Sequence, residues 1–283
     1  MKPSLYTLVL QKRSVHQIFK IAKELGYEGV EIWGREPHVS QDTSIERCRE
    51  YRDLSDSYGL PIVGVAGYLG QFSMISEADC EKQLEELKKY TVVLNELGCD
   101  LLRIWAGGPN SFMSQNYHYE KAAYWMAKAS EIAKDGGIRL GIEIHNNTLV
   151  ESAEDALKFW NMVGSDALGF IHDAGNMYIS DYDYGADSIK KLGNHLFHMH
   201  IKSEERVPEG SDGCFKSLNR HGHEYIRQVV IDEGKVDFES VFKGLKETNY
   251  TGFMSCESFA YNKGDIERSK QDIASMRRIM SQL

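Results

Sequence analysis

The sequence predicts an α/β protein built as one (β/α)8 barrel over residues 1–283, with a lid-like insertion at about 203–235. Three observations carry that expectation. Strand-like and helix-like segments alternate from end to end, which favours parallel strands joined by crossover helices. Eight of each can be counted, and the length of 283 residues is close to the ~250 typical of such barrels. No linker, low-complexity tract or charge block divides the chain. A doubly wound sheet is the competing arrangement.

The elements follow in order. LYTLVL (5–10) reads as the first strand. Residues 14–25 place Val15, Ile18, Phe19, Ala22 and Leu25 on one helical stripe, with Ser14 and Gln17 forming a capping box and Gly26 able to close the helix in a left-handed conformation. GVEIW (29–33) is the second strand, and IVGVAGY (62–68), LLRIWA (101–106), LGIEIH (140–145), LGFIHD (168–173), LFHMHIK (196–202) and GFMSCE (252–257) complete the set. Helical spacing or composition marks 44–58, 79–97, 117–134, 152–163, 185–193, 237–248 and 264–282. A faint repeat, KELGYEGVEIW (23–33) against KETNYTGFMSCE (246–257), puts Gly26 and Asn249 at equivalent helix ends. The connection from Ser203 to Lys235 is too long for a plain βα loop and is expected to cover the site.

Composition narrows the function. Lys and Arg number 33 against 42 Asp and Glu, a net charge of −9, which argues against a nucleic-acid surface. Five cysteines without a CxxC pair suggest neither a disulfide framework nor a thiolate zinc site, and no apolar run approaches the ~18 residues of a membrane span. The short apolar run at the N-terminus lacks the form of a secretory signal, so a cytoplasmic location is expected.

In such a barrel the active site gathers at the C-terminal strand ends. Here those ends are polar: Glu31, Tyr68, Arg103 and Trp105 on the second to fourth strands, Glu143 and His145 on the fifth, His172 and Asp173 on the sixth, His198, His200 and Lys202 on the seventh, Glu257 on the eighth. Buried acids and imidazoles are costly unless something pairs with them, and a divalent cation would. The intervals fit: 30 residues from Glu143 to Asp173 and 27 from Asp173 to His200 are one βα unit each, and the 57 from His200 to Glu257 are one unit plus the insertion. Three carboxylates and an imidazole make a mostly oxygen site, suited to Mn2+ first, with Mg2+, Co2+ or Zn2+ compatible. Parity does not choose between His198 and His200. His172 is expected to pack outward, and His221 and His223 to be solvated residues of the insertion. Trp33 and Trp105 read equally as pocket walls or core.

GVEIWG, GIEIHNN, HDAGN, HMHIKSEER and GKVDFESVFKGLKETNYTGFMSCE resemble the xylose isomerase-like superfamily of TIM barrels over nearly the whole chain. That superfamily includes sugar isomerases and epimerases, inosose and 3-dehydroshikimate dehydratases, and AP endonucleases. The resemblance implies a metal held by Glu143, Asp173, His200 and Glu257, and a substrate contact from Arg206. Where the epimerases carry a histidine three residues after the aspartate, this chain has Asn176. Tyr68, Arg103, His145 and Lys202 resemble the pocket of the 3-dehydroshikimate dehydratases instead. The many histidines of the endonuclease branch are lacking.

The expected chemistry is proton abstraction beside a carbonyl, through a metal-stabilised enediolate. Exchange between Glu143 and Glu257 would give a sugar isomerase or epimerase, the leading expectation. With His145 as base and loss of water or a glycosyl group, the outcome is a dehydratase or lyase. A non-catalytic metal- or sugar-binding subunit is the third reading. The substrate is expected to be a small sugar or keto-polyol, contacted by Tyr68, Arg103, Trp105, Asn176, Lys202, Arg206 and Glu31, and the resemblance admits a homo-oligomer or a small accessory subunit.

Overall fold

A computed structural model describes residues 1–283. Eight parallel strands close into a barrel: β1 (Lys2–Tyr6), β2 (Gly29–Trp33), β3 (Ile62–Ala66), β4 (Leu101–Ile104), β5 (Arg139–Glu143), β6 (Leu168–Asp173), β7 (Leu196–Ile201) and β11 (Phe253–Cys256), in the spatial order β1-β11-β7-β6-β5-β4-β3-β2. The single (β/α)8 barrel predicted by the alternating pattern is the fold of the chain. The outer layer is α1 (Val15–Leu25), α2 (Ile45–Tyr58), α3 (Glu77–Leu97), α4 (Asn116–Asp135), α5 (Ala153–Val163), α7 (Ala186–Leu192), α8 (Phe238–Glu247) and α9 (Asp265–Gln282). No helix is long and apolar enough to cross a membrane.

Helix α1 shows why local sequence and structure agree. Ser14 Oγ accepts the Gln17 N–H at 3.3 Å, the Gln17 side chain accepts the Ser14 N–H at 3.0 Å, and Gly26 ends the helix at φ 84°. Val15, Ile18, Phe19 and Ala22 are the buried stripe, and full burial of Ile18 or Phe19 contributes about 1.5–3 kcal/mol each. The repeat also holds in space, because Asn249 takes the left-handed conformation, φ 55°, at the end of α8.

Several strand ends differ from expectation. The first strand ends at Tyr6, and Thr7–Leu10 turns into a 3-10 helix. The Thr7 hydroxyl leaves the strand pattern to accept the Trp33 N–H at 2.8 Å and to bond His38 Nδ1 at 2.8 Å. Most other strands stop one or two residues short, so Tyr68, Trp105, His145, Lys202 and Glu257 stand on the loops just above the barrel. A short helix, α6 (Ala174–Ser180), was not expected; it starts where Asp173 Oδ1 caps the Asn176 N–H at 2.8 Å.

The insertion after Lys202 is an antiparallel sheet of β8 (Ser203–Arg206), β10 (Gly222–Val229) and β9 (Cys214–Asn219) that packs on α6. Gly175 makes room at this junction, since a Cβ there would lie 2.7 Å from Lys202 Cγ.

Candidate metal centre and its surroundings

The strand order brings β5, β6, β7 and β11 side by side, and with them four ligating side chains. One atom from each of Glu143, Asp173, His200 and Glu257 lies within 4.8 Å of the others. His200 Nδ1 is 3.1 Å from Glu143 Oε1, 3.3 Å from Glu257 Oε2 and 4.0 Å from Asp173 Oδ2. Glu143, Asp173 and His200 are fully buried, while Glu257 keeps 9% of its surface. The parity question is answered: His200 belongs to the cluster and His198 lies beneath it.

Three buried carboxylates this close repel one another, so the cluster needs positive charge. The Lys202 ammonium supplies some of it, 2.8 Å from Asp173 Oδ2, 3.1 Å from Glu257 Oε2 and 3.8 Å from Glu143 Oε1. Asp173 Oδ2 otherwise makes no hydrogen bond of good geometry. Burial pushes the Asp173 carboxyl up to about 7 against the pull of Lys202. Burial also opposes the charge on Lys202, but Asp173, Glu257 and Glu143 outweigh it and raise its pKa. A divalent cation fits this donor set: three hard oxygens and one imidazole, with the buried Asp173 Oδ2 in close contact only with the Lys202 ammonium.

The other predicted residues fall into distinct positions. Arg103 is committed to Glu143: Nε donates to Oε2 at 2.7 Å, Nη2 donates to the same oxygen, and Nη1 donates to the Gly67 carbonyl at 2.8 Å. These three bonds make its guanidinium a clamp on Glu143. Asn176 Nδ2 donates to Glu143 Oε1 at 3.0 Å. Burial works against the charge of Glu143, yet the Arg103 and His200 charges hold its carboxyl well below the usual range. Arg206 is not brought to the cluster, because its guanidinium bonds Glu224 of the inserted sheet at 2.7 Å and the Tyr178 carbonyl of α6 at 3.0 Å. Glu31, expected near substrate, is instead buried under His200.

His145 is half-buried above the cluster, packed edge-on against Trp105 at 4.5 Å between ring centroids. Its Nδ1 lies 2.7 Å from the Asn146 carbonyl, which can only accept, so the proton is on Nδ1 and the lone pair on Nε2. Burial lowers its pKa to about 4, keeping the ring neutral. Trp33 donates its indole N–H to the Tyr68 hydroxyl at 2.8 Å, and both Trp33 and Trp105 are half-buried at the aromatic side of the barrel mouth. His172 packs outward on Ser188 Oγ at 3.2 Å, and His221 and His223 remain in the inserted sheet outside the metal-ligating groups.

Several residues escaped sequence reasoning. Tyr6 stacks on His200 at 5.6 Å, and was hidden by the misplaced end of the first strand. Arg35 lies 3.7 Å over the Tyr68 ring and makes no ion pair. Glu204 is fully buried opposite Gln228, with neither carboxyl oxygen in a hydrogen bond of good geometry. It stood in a polar run, KSEER, that reads as exposed.

Residues 19–279 match the sequence model of the xylose isomerase-like TIM barrel. The chain belongs to that family. Among relatives of this xylose isomerase-like barrel, fructoselysine 3-epimerase of Escherichia coli O157:H7 is 24% identical over 265 residues, 91% of this chain and 90% of that protein. The 3-dehydroshikimate dehydratase of Bacillus anthracis is 24% identical over 287 residues, 99% and 98% of the two chains. Among solved structures, the IOLI protein with a bound zinc atom superposes with a TM-score of 0.80 at 18% identity, covering 100% and 99%. The relatives are epimerases and dehydratases, and the four-residue cluster provides a site suited to a divalent metal.

Proposed function

We propose that this protein is a divalent-metal-dependent enzyme that removes a proton from the carbon beside a carbonyl in a small, sugar-like substrate, with His145 as the base and elimination as the outcome. The observation that carries the choice is the contrast between Glu143 and His145. Both Glu143 oxygens are engaged, Oε2 by Arg103 and Oε1 by Asn176 and His200, so this carboxylate is a poor proton acceptor. His145 Nε2 offers a free lone pair at the rim. A bound cation would polarise the substrate carbonyl and stabilise the negative charge that develops on its oxygen. The proton moves to His145 Nε2, the C–H bonding pair forms a C=C bond and the carbonyl π pair moves onto oxygen. As that pair returns, the C=C pair shifts to make a double bond to the next carbon, whose substituent leaves with its own bonding pair. The leaving oxygen takes the proton held on His145 Nε2, giving water or an alcohol and restoring the neutral imidazole. Trp105 keeps the imidazole in place and Arg103 holds Glu143 ionised as a ligand.

Isomerisation or epimerisation is the second reading. Glu257 favours it, because its contacts with His200 and Lys202 both use Oε2 and the side chain keeps some exposure. It would return the proton to the opposite face of the planar intermediate. Relatives of both kinds exist at the same identity, 24%.

Solvent deuterium incorporation tests the choice. Ketohexoses, ketopentoses, their phosphates, inosose, 3-dehydroshikimate and 3-keto glucosides would be incubated with Mn2+ in D2O and followed by mass spectrometry. Loss of water or of an aglycone supports elimination. Deuterium beside the carbonyl with the substrate otherwise intact overturns it in favour of isomerase or epimerase chemistry.

A further inference from the structure

One layer below the carboxylates, a buried hydrogen-bond chain runs through the barrel interior, where branched apolar side chains are the usual filling. Glu31 reaches inward from β2 so that its Oε1 and Oε2 lie 3.1 and 3.2 Å from His200 Nε2. Its Oε2 is also 3.2 Å from His198 Nε2, which lies 2.9 Å from Ser255 Oγ, and Ser255 Oγ is 2.8 Å from Ser4 Oγ. All five side chains are buried.

The chemistry of the chain fixes its protons. An ionised carboxylate has only lone pairs to offer, so each imidazole Nε2 facing Glu31 carries a hydrogen. His200 Nδ1 points among Glu143, Asp173 and Glu257, so a cation held by these carboxylates would displace the proton that Nδ1 shares with them, and with Glu31 keeping the Nε2–H the ring would offer the Nδ1 lone pair. A carboxylate bonded to His200 alone could turn about its own axis. Here His198 also holds Oε2, Ser255 holds His198, and the Tyr6 ring limits tilting of His200 from one face, 19° from parallel.

We propose that Glu31 is a positioning residue: with His198, Ser255 and Ser4 behind it, it sets the tautomer and the aim of His200 so that Nδ1 is presented to a divalent cation held with Glu143, Asp173 and Glu257. The inference rests on the metal reading of that cluster. Partners of this kind typically change metal affinity about 10–100-fold.

Two measurements test it. Isothermal titration with Mn2+ should show about 10–100-fold weaker binding for Glu31→Gln than for the unaltered protein. The amide keeps the shape and one acceptor but loses the charge and the second N–H bond. Binding within about twofold of the unaltered protein would overturn the proposal. If Glu31→Gln does not melt cooperatively, His198→Gln replaces it, with a loss of about threefold or more expected and an unchanged affinity counting against the chain. Independently, 15N NMR of the Zn2+-loaded, unaltered protein should show His200 protonated on Nε2 and metal-bound through Nδ1; the reverse assignment overturns the proposal. Failure of the unaltered protein to bind either ion would bring down the metal reading itself, whereas normal binding with an unaffected variant sinks only the role of Glu31.

Discussion

The two halves of the barrel mouth are built from different materials. On the side of β5, β6, β7 and β11 the strand ends carry Glu143, Asp173, His200, Lys202 and Glu257, a network of buried charges tied to one another. On the side of β2, β3 and β4 the rim is aromatic, with Trp33, Tyr68 and Trp105 flanked by Arg35 and Arg103. The difference assigns separate tasks. A charged cluster is expensive to bury and is suited to holding a cation and stabilising charge that forms during reaction. An aromatic rim presents apolar faces and a few polar tips, which suits recognition of the body of a substrate. His145 stands at the seam, on the loop after β5 but packed on Trp105.

The largest expected effect breaks the charged half. Asp173→Asn removes a fully buried ligand, so Mn2+ affinity should fall beyond the ~10–100-fold typical of an outer partner, and turnover should drop to background. Titration and a substrate assay at saturating Mn2+ would check this; full activity would remove Asp173 from the centre. The seam comes next. His145→Ala should lower kcat about 10²–10⁴-fold while Mn2+ binding stays intact, and an unchanged kcat would return the base role to a carboxylate. The aromatic half should respond more mildly. Arg35 is exposed and pairs with no carboxylate, so Arg35→Met should raise KM roughly 3- to 10-fold with kcat preserved. A fall in kcat alone would contradict a purely recognition role for that rim.

The charged half was also the more legible in sequence. Glu143, Asp173, His200 and Glu257 sit at strand ends whose spacing follows the βα repeat, so periodicity collects them with His198 as an alternative to His200, and the family resemblance supplies the choice between the two. Their partners were harder to assign. Arg103 was recognisable as a site residue, but only the closed barrel shows that its guanidinium is spent on Glu143. Glu31 projects from the opposite side of the barrel, a relation that no local pattern records. Tyr6 was missed because LYTLVL has the composition of a strand throughout, and the Thr7 hydroxyl, bonding Trp33 and His38, ends it early. For Arg206 the resemblance supplied a substrate contact, while its actual neighbours Glu224 and Tyr178 come from segments that meet it only through the inserted sheet and α6.

Glu204 extends the contrast to the junction between the charged half and the insertion, where the expected effect is on stability and not on turnover. Burial raises its carboxyl pKa from 4.5 to about 8, with Lys202 pulling the other way. The folded protein therefore retains a proton that the unfolded chain releases above about pH 4.5. Stability from this group is present below that pH and is lost as pH rises toward 8. Glu204→Gln keeps the shape and cannot ionise, so the variant should gain on the unaltered protein as pH rises from 5 to 9, by on the order of 2 kcal/mol. Urea unfolding of both proteins in chelator-treated buffer at these two pH values measures the gain. Parallel pH profiles would mean that Glu204 is ionised in the folded protein, and the neighbouring Lys202 charge would then belong as much to Glu204 as to the metal ligands.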